Sequence, residues 1–186
     1  DVCNSTATLD ECGVCDGDGS ECAETSLTVE FAQGWNWFSM NVIPEDASIT
    51  SMIENENETI DLVKGQSAYS LWYPEYGVWY PATFEFDVTQ TYMAFANNEH
   101  TFIVTGEEVD VANTPIEISS NWNWIGYLPQ ISWDVDSAFG SLNLSQGDFL
   151  KTQTTATSYY AGWGWYPGAS EDFTLNPGDG LLINVV

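Results

Sequence analysis

Short runs in which polar and apolar residues alternate recur along the whole chain. A period of two puts every second side chain on one face of an extended strand, so these runs predict half-buried strands. Residues 26–31 (SLTVEF) and 83–88 (TFEFDV) alternate in this way. Residues 37–42 and 124–128 are aromatic and β-branched enough for buried strands, and residues 100–104 (HTFIV) read as another, closed by Gly106. The helical candidates are short, 47–53 and 135–142, each after an acidic start that can cap it. Turn signals are frequent, as in residues 74–77 (PEYG) and 176–180 (NPGDG). The expected fold is all-β with minor short helices, built as antiparallel, sandwich-like units.

The pattern repeats. Residues 34–38 (GWNWF) recur as 121–125 (NWNWI), and 61–66 (DLVKGQ) recur as 148–153 (DFLKTQ), both at an offset of 87 residues. Val29-Glu30-Phe31 matches Ile116-Glu117-Ile118 at the same offset. Trp79-Tyr80-Pro81 matches Trp165-Tyr166-Pro167 after a one-residue deletion, and Phe84-Glu85-Phe86 matches Phe173-Thr174-Leu175. A fixed period with so few gaps marks a duplicated unit. The division is residues 1–25 as an arm, 26–108 as repeat one and 109–186 as repeat two, with 106–114 as the connection. The second repeat has no counterpart of the Phe102-Ile103-Val104 strand, so its closing strand position is expected to be open or filled by exchange.

Composition narrows the partners. With 44% hydrophobic and 15% aromatic residues the chain can bury a core. It carries 28 Asp and Glu against two Lys and no Arg, a net charge of −26. Such a surface repels phosphate backbones and anionic bilayers, which argues against nucleic acid and against membrane insertion. It favours divalent cations and a salty medium. No apolar run reaches the length of about 18 residues that a spanning helix needs. The chain opens at Asp1 without Met and reads as a piece of a longer secreted precursor. Four cysteines, Cys3, Cys12, Cys15 and Cys22, lie in its first 22 residues, which points to two disulfides and an extracellular location. Zinc is the rival, but only Cys12-Gly-Val-Cys15 has ligand-like spacing. Asn4, Asn57 and Asn143 head N-glycosylation sequons, so N-linked glycans are expected there.

Chemistry-bearing residues are few. The single histidine, His100, lies in a strand-like stretch and reads as a strand-end surface residue; no triad can be assembled around it. No enzyme activity and no organic cofactor are expected. Asp16, Asp18, Ser20 and Glu21 alternate with glycines and form a candidate calcium loop, the alternative being an acidic turn held by disulfides. The only lysines, Lys64 and Lys151, occupy equivalent positions and are expected in structural ion pairs with Asp61 and Asp148. Trp37 and Trp124 are expected in the core. Trp72, Trp79, Trp163 and Trp165 lie near turns and are the candidates for stacking on a carbohydrate.

Residues 10–22 (DECGVCDGDGSEC) resemble a short tandem motif of secreted multidomain proteins, with Asp16 where Gly is usual. The repeat resembles a Trp-rich module that follows that motif in secreted and cell-surface proteins of marine and gliding bacteria and some protists. Its marks are the GWNW segment, the D-x-x-K-x-Q segment and a P-G-x-G ending, here residues 34–39, 60–66, 147–153 and 177–181. The resemblance implies a secreted or surface repeat module and carries no settled activity. The function expected is an extracellular structural or adhesive protein that self-associates head to tail, the alternative being carbohydrate binding.

Overall fold

The alternating runs become antiparallel ladders, and the side on which each residue falls decides the fold. The computed structural model describes residues 15, 24–53, 59–168 and 173–186. In chain order the first half contains β1 (Thr25–Phe31), β2 (Gly34–Phe38), β3 (Val42–Ile43), α1 (Ile49–Met52), β4 (Ile60–Lys64), β5 (Tyr69–Tyr73), β6 (Val78–Tyr80), β7 (Tyr92–Ala96) and β8 (His100–Glu108). The second half contains β9 (Asn121–Gly126), β10 (Trp133–Asp134), α2 (Val135–Phe139), β11 (Phe149–Lys151), β12 (Ala156–Tyr160), β13 (Gly164–Tyr166), β14 (Thr174–Leu175) and β15 (Gly180–Val185). The chain is all-β and sandwich-like, with sheets that pair antiparallel throughout.

Each half is built on a five-stranded sheet, and the two have the same order: β2-β7-β4-β5-β6 and β9-β15-β11-β12-β13. In the first half a second sheet, β1-β8-β3, lies over one face. Alternation sends Leu27 and Phe31 of β1 and Phe102 and Val104 of β8 inward. There the rings of Phe31, Phe38 and Phe102 form a triangle with centroids 5.2, 5.5 and 5.6 Å apart. The second core, around Ile125, Tyr127, Val135, Leu150, Trp165, Leu175 and Leu181, is covered by α2 and the two-stranded β10–β14 pair, with Ile116, Ile118 and Leu144 packed against it. Residues 116–118, which match the end of β1, form no strand. Their would-be partner, an equivalent of β8, has no counterpart among the described residues of this half.

Several expectations change at the level of register. Residues 83–88 do not form a ladder strand; Phe84 and Phe86 point inward as their alternation requires, and the segment is held by the Ser48–Glu85 bridge and by the Asp87 amide, which donates to the Tyr92 hydroxyl. Gly106 does not close β8. It lies within it, and a Cβ there would stand 2.1 Å from the Ile43 carbonyl oxygen, so glycine is what lets β3 pack against β8. The helices are shorter than the sequence suggested, and their caps are Ser48 and Asp134, each accepting from the backbone three residues on.

In both copies of the Trp-Asn-Trp segment it is the asparagine that faces inward. Asn36 accepts from the Ala32 amide at 2.8 Å and donates to the carbonyls of Ala32 and Gly34. Asn123 repeats this with Ser119 and Asn121. The turn requires a left-handed residue, supplied by Gly34 in one copy (φ 102°) and by Asn121 in the other (φ 76°). Removing such a side chain leaves buried backbone groups without partners. Asn123→Ala and Asn36→Ala are each expected to lower unfolding free energy by about 2 to 3 kcal/mol in urea titrations, with little change for an exposed control such as Asn143→Ala.

Candidate functional site

Because Asn36 and Phe38 take the inner face of β2, Trp35 and Trp37 must take the outer one. The same holds for Trp122 and Trp124 on β9. The expectation that Trp37 and Trp124 belong to the core is therefore corrected: both are half-buried on the outer side of their sheets. What they meet there is the other half of the molecule.

Lys64, at the end of β4, places its ammonium 4.8 Å from the centroid of its own repeat's Trp35 and 5.8 Å from Trp124 of the second repeat. Lys151, at the end of β11, lies 4.9 Å from its own Trp122 and 5.0 Å from Trp37 of the first repeat. Each cation thus bridges one indole of each half. The glutamine two residues on completes the contact. Gln66 donates to the Trp122 carbonyl at 2.9 Å and accepts from the Trp124 amide at 2.8 Å. Gln153 does the same to Trp35 and Trp37, at 2.7 and 2.6 Å. A side-chain amide so placed presents one donor and one acceptor, as a strand residue would, and it caps the free edge of β2 or β9.

The reciprocal contacts continue along the seam. The Ser39 amide donates to the Gly178 carbonyl at 3.0 Å, and the Gly126 amide donates to the Thr89 carbonyl at 2.8 Å. The Ser39 hydroxyl donates to the Asp179 carbonyl and accepts from the Tyr127 amide, while Thr91 donates to Ile125 and accepts from the Leu181 amide. Gly180 lies so close to β2 that a Cβ would stand 2.7 Å from the Phe38 nitrogen.

The ion pairs expected for the lysines are not the contacts described. Asp61 accepts from the Asn97 side chain at 3.3 Å, and the buried Asp148 accepts from the amides of Ser145 and Val186 at 2.7 and 3.0 Å. Each carboxylate sits on the strand face opposite to the seam or at the far end of its strand, whereas the lysine shares the indole face. The D-x-x-K-x-Q segment marked the right residues, but the ammonium's partner is aromatic.

The other expected site residues fall as follows. Trp79 and Trp165 are buried at 3% and 5% exposure, so they pack in the cores and offer no open face to a sugar, while Trp72 is half-buried against the first core. Trp163, in the β12–β13 turn, is 92% exposed. The exposed aromatics that the sequence reading missed are one position away, on the outer face: Tyr69, Tyr73 and Tyr80 on the β5–β6 hairpin with Tyr76 at its turn, and Tyr160 and Tyr166 on β12–β13. Tyr73 and Tyr80 form an edge-on pair at 6.4 Å. Deciding which residue of each Trp-Tyr neighbour faces out needed the register, because both are large and aromatic. His100 opens β8, a strand end as expected, and is half-buried. Asn143 is exposed in the loop after α2, as a sequon requires. Of the cysteines Cys15 is described, exposed and not a free thiol. Cys3, Cys12 and Cys22, the candidate calcium residues Asp16, Asp18, Ser20 and Glu21, and the sequons at Asn4 and Asn57 lie outside the described residues. Among the described residues no group of three or more His, Cys, Asp or Glu side chains converges on a metal position, and no helix is long and apolar enough to cross a membrane.

Burial and hydrogen bonding set the titration of the seam and its surroundings. Burial pushes the hydroxyls of Tyr92 and Tyr127 up to about 12, so both stay neutral. Hydrogen bonds from Ser137 hold the Asp134 cap below the usual carboxylate range, and Asn113 does the same for Asp110. Asp179, beside the seam, is pushed the other way by burial, against the hydrogen bonds from Asn176.

Comparison of the chain with protein-family models, with curated proteins and with solved structures finds no match in any of the three. What the geometry defines by itself is a duplicated β unit whose halves are clasped by a reciprocal lysine–indole and glutamine–backbone seam.

Two outcomes test the seam. Lys64→Met or Lys151→Met removes an ammonium that touches two indoles, and each is expected to destabilise the fold by about 1 to 2 kcal/mol in chemical denaturation. For Asp179 the folded pKa is raised, so its contribution is present in full below the unfolded value near 4 and is lost as pH rises through the folded value. Asp179→Asn is therefore expected to be more stable than the parent chain at neutral pH, with the gain disappearing below about pH 4; thermal melts across that range check it.

Proposed function

We propose that this chain is a non-enzymatic extracellular structural or adhesive protein, a unit of a fibre or surface array joined head to tail. The observation that carries the reading is the inequality of the two halves. They share one sheet order and are clasped into a single block, yet among the described residues only the first carries a β1-β8-β3 sheet. The two halves therefore present unlike surfaces. A contact between unlike surfaces does not close on itself, and it propagates as a filament. The seam suits this use, because two modules clasped on one face transmit load as one body. The net charge of −26 opposes association, so assembly depends on screening salt or on a divalent cation, with calcium at the Asp16–Glu21 loop as the candidate.

Carbohydrate binding is the second reading, favoured by the exposed tyrosines of the β5–β6 hairpin. Rings standing open on one sheet face can stack on the apolar faces of a neutral or cationic glycan. Anionic glycans are repelled unless calcium bridges them.

One experiment separates the two. Concentrated protein in salt with calcium, followed by sedimentation and electron microscopy, is expected to form filaments that disperse at low ionic strength with chelator. A chain that stays monomeric throughout, yet binds a neutral polysaccharide in a manner abolished by Tyr73→Ala with Tyr80→Ala, reverses the order of the two readings.

A further inference from the structure

The outward face of the first five-stranded sheet carries a row of apolar side chains that runs straight across all its strands. Register fixes the row: Trp35 pairs with Phe95, Phe95 with Leu62, Leu62 with Leu71 and Leu71 with Tyr80. Its ends stand open, Trp35 at 41% exposure and Tyr80 at 67%, and the residues between them are half-buried. Tyr69, Tyr73 and Val78 flank the row on the same face and are exposed. An open trough of about 570 Å³ lies along it, lined in part by Trp35, Leu62, Lys64, Gln66, Tyr69 and Leu71.

The duplication supplies a control. The equivalent row of the second sheet is Trp122, Asn184, Phe149, Ser158 and Tyr166, paired in the same order. Asn184 stands where the first half has Phe95, and Ser158 where it has Leu71. The same sheet order therefore accepts polar residues at both positions. Folding does not require an apolar row on this face, and contact with water disfavours one.

Charge restricts what the row can meet. No residue of the row or its flanks is acidic, in a chain with 28 Asp and Glu, and the one acid of the β5–β6 hairpin, Glu75, lies at its turn. The ammonium of Lys64 is already held between two indoles. A second copy of the chain would bring a net charge of −26 against the −26 of the first, and an anionic glycan meets the same repulsion. An uncharged glycan meets none. Aromatic and aliphatic side chains in a line suit the C–H faces of pyranose rings, and Gln66 and Ser67 beside the trough offer hydrogen bonds to hydroxyls. Neighbouring strands are about 4.8 Å apart, close to the length of one sugar in an extended β-1,4-linked chain. Sheets twist by about 20° per strand, so the row is not flat and fits a single chain rather than the face of a crystal.

We propose that this row binds one strand of an uncharged β-1,4-linked polysaccharide, laid across the sheet from Trp35 to Tyr80. The proposal deepens the carbohydrate reading and rests on it, and it places the site on the first sheet alone.

The probe is cellohexaose, titrated calorimetrically into the full chain, with the α-linked maltohexaose as comparison. One cellohexaose is expected to bind per chain, more tightly than maltohexaose, and a chelator leaves the binding unchanged because no charge is bridged. Phe95→Asn with Leu71→Ser copies the second row into the first. The second sheet carries those residues, so the fold is retained, which a thermal melt checks, and binding is expected to weaken by about tenfold or more. Asn184→Phe with Ser158→Leu makes the reverse exchange and is expected to raise the stoichiometry from one to two. Trp163→Ala, which removes an exposed ring outside the row, leaves binding unchanged. The proposal is overturned if cellohexaose does not bind at millimolar concentration, if maltohexaose binds as tightly, if the Phe95→Asn, Leu71→Ser chain binds as well as the parent, or if the reverse exchange leaves the stoichiometry at one. It is overturned too if that first exchange abolishes self-association of a chain that binds no sugar, which makes the row a contact between copies. If the Phe95→Asn, Leu71→Ser chain still binds a neutral polysaccharide through Tyr73 and Tyr80, the carbohydrate reading stands and the row falls; if no polysaccharide binds the parent chain, both fall.

Discussion

The contact on which the rest of the structure depends is an ammonium ion held between two indole rings that belong to different halves of the chain. It occurs twice, at Lys64 and at Lys151, and these are the only lysines present. In a chain with 28 acidic residues, a lysine has carboxylates available everywhere. An exposed ion pair contributes little in water and less in salt, whereas an ammonium over an indole face is partly shielded from both. The neighbouring Gln66 and Gln153 add direction, since each fixes the register of the opposite half's edge strand through two hydrogen bonds. Lysine gives attraction and glutamine gives alignment, two residues apart on one strand end.

Duplication explains why the seam is reciprocal and why its motif is so compact. Trp-Asn-Trp supplies two outward rings and one inward amide, so the same short segment holds the turn before it and presents the seam. Lys-x-Gln supplies the matching half. Neither segment is sufficient alone, since the Trp of one copy is completed by the Lys and Gln of the other. Two copies of one sequence therefore fold into a pair rather than into beads on a string.

Much of this was legible in the sequence. Strands such as β1 followed from alternation, and the fixed offset pairs segments that hold equivalent places in the two five-stranded sheets. The faces were less legible. A Trp-Tyr neighbour such as Trp79-Tyr80 is apolar at both positions, so its pattern does not say which ring is buried; Trp79 is in the core and Tyr80 is exposed. The role of the lysines was hidden for another reason. Their partners across the seam are Trp124 and Trp37, far away along the chain, and Asp61 and Asp148 are close in sequence. Proximity in sequence pointed to the carboxylates, and the sheet order placed the indoles there instead. Gly106 misled in the same way, because a glycine that admits a neighbouring strand looks in sequence like one that ends its own.

The central claim is that the seam makes the two repeats one folding unit. Scanning calorimetry tests it directly. One unfolding transition is predicted, with the calorimetric enthalpy equal to the van't Hoff enthalpy. Two separable transitions, one for each half, with a calorimetric enthalpy well above the van't Hoff value for the whole chain, would contradict the account.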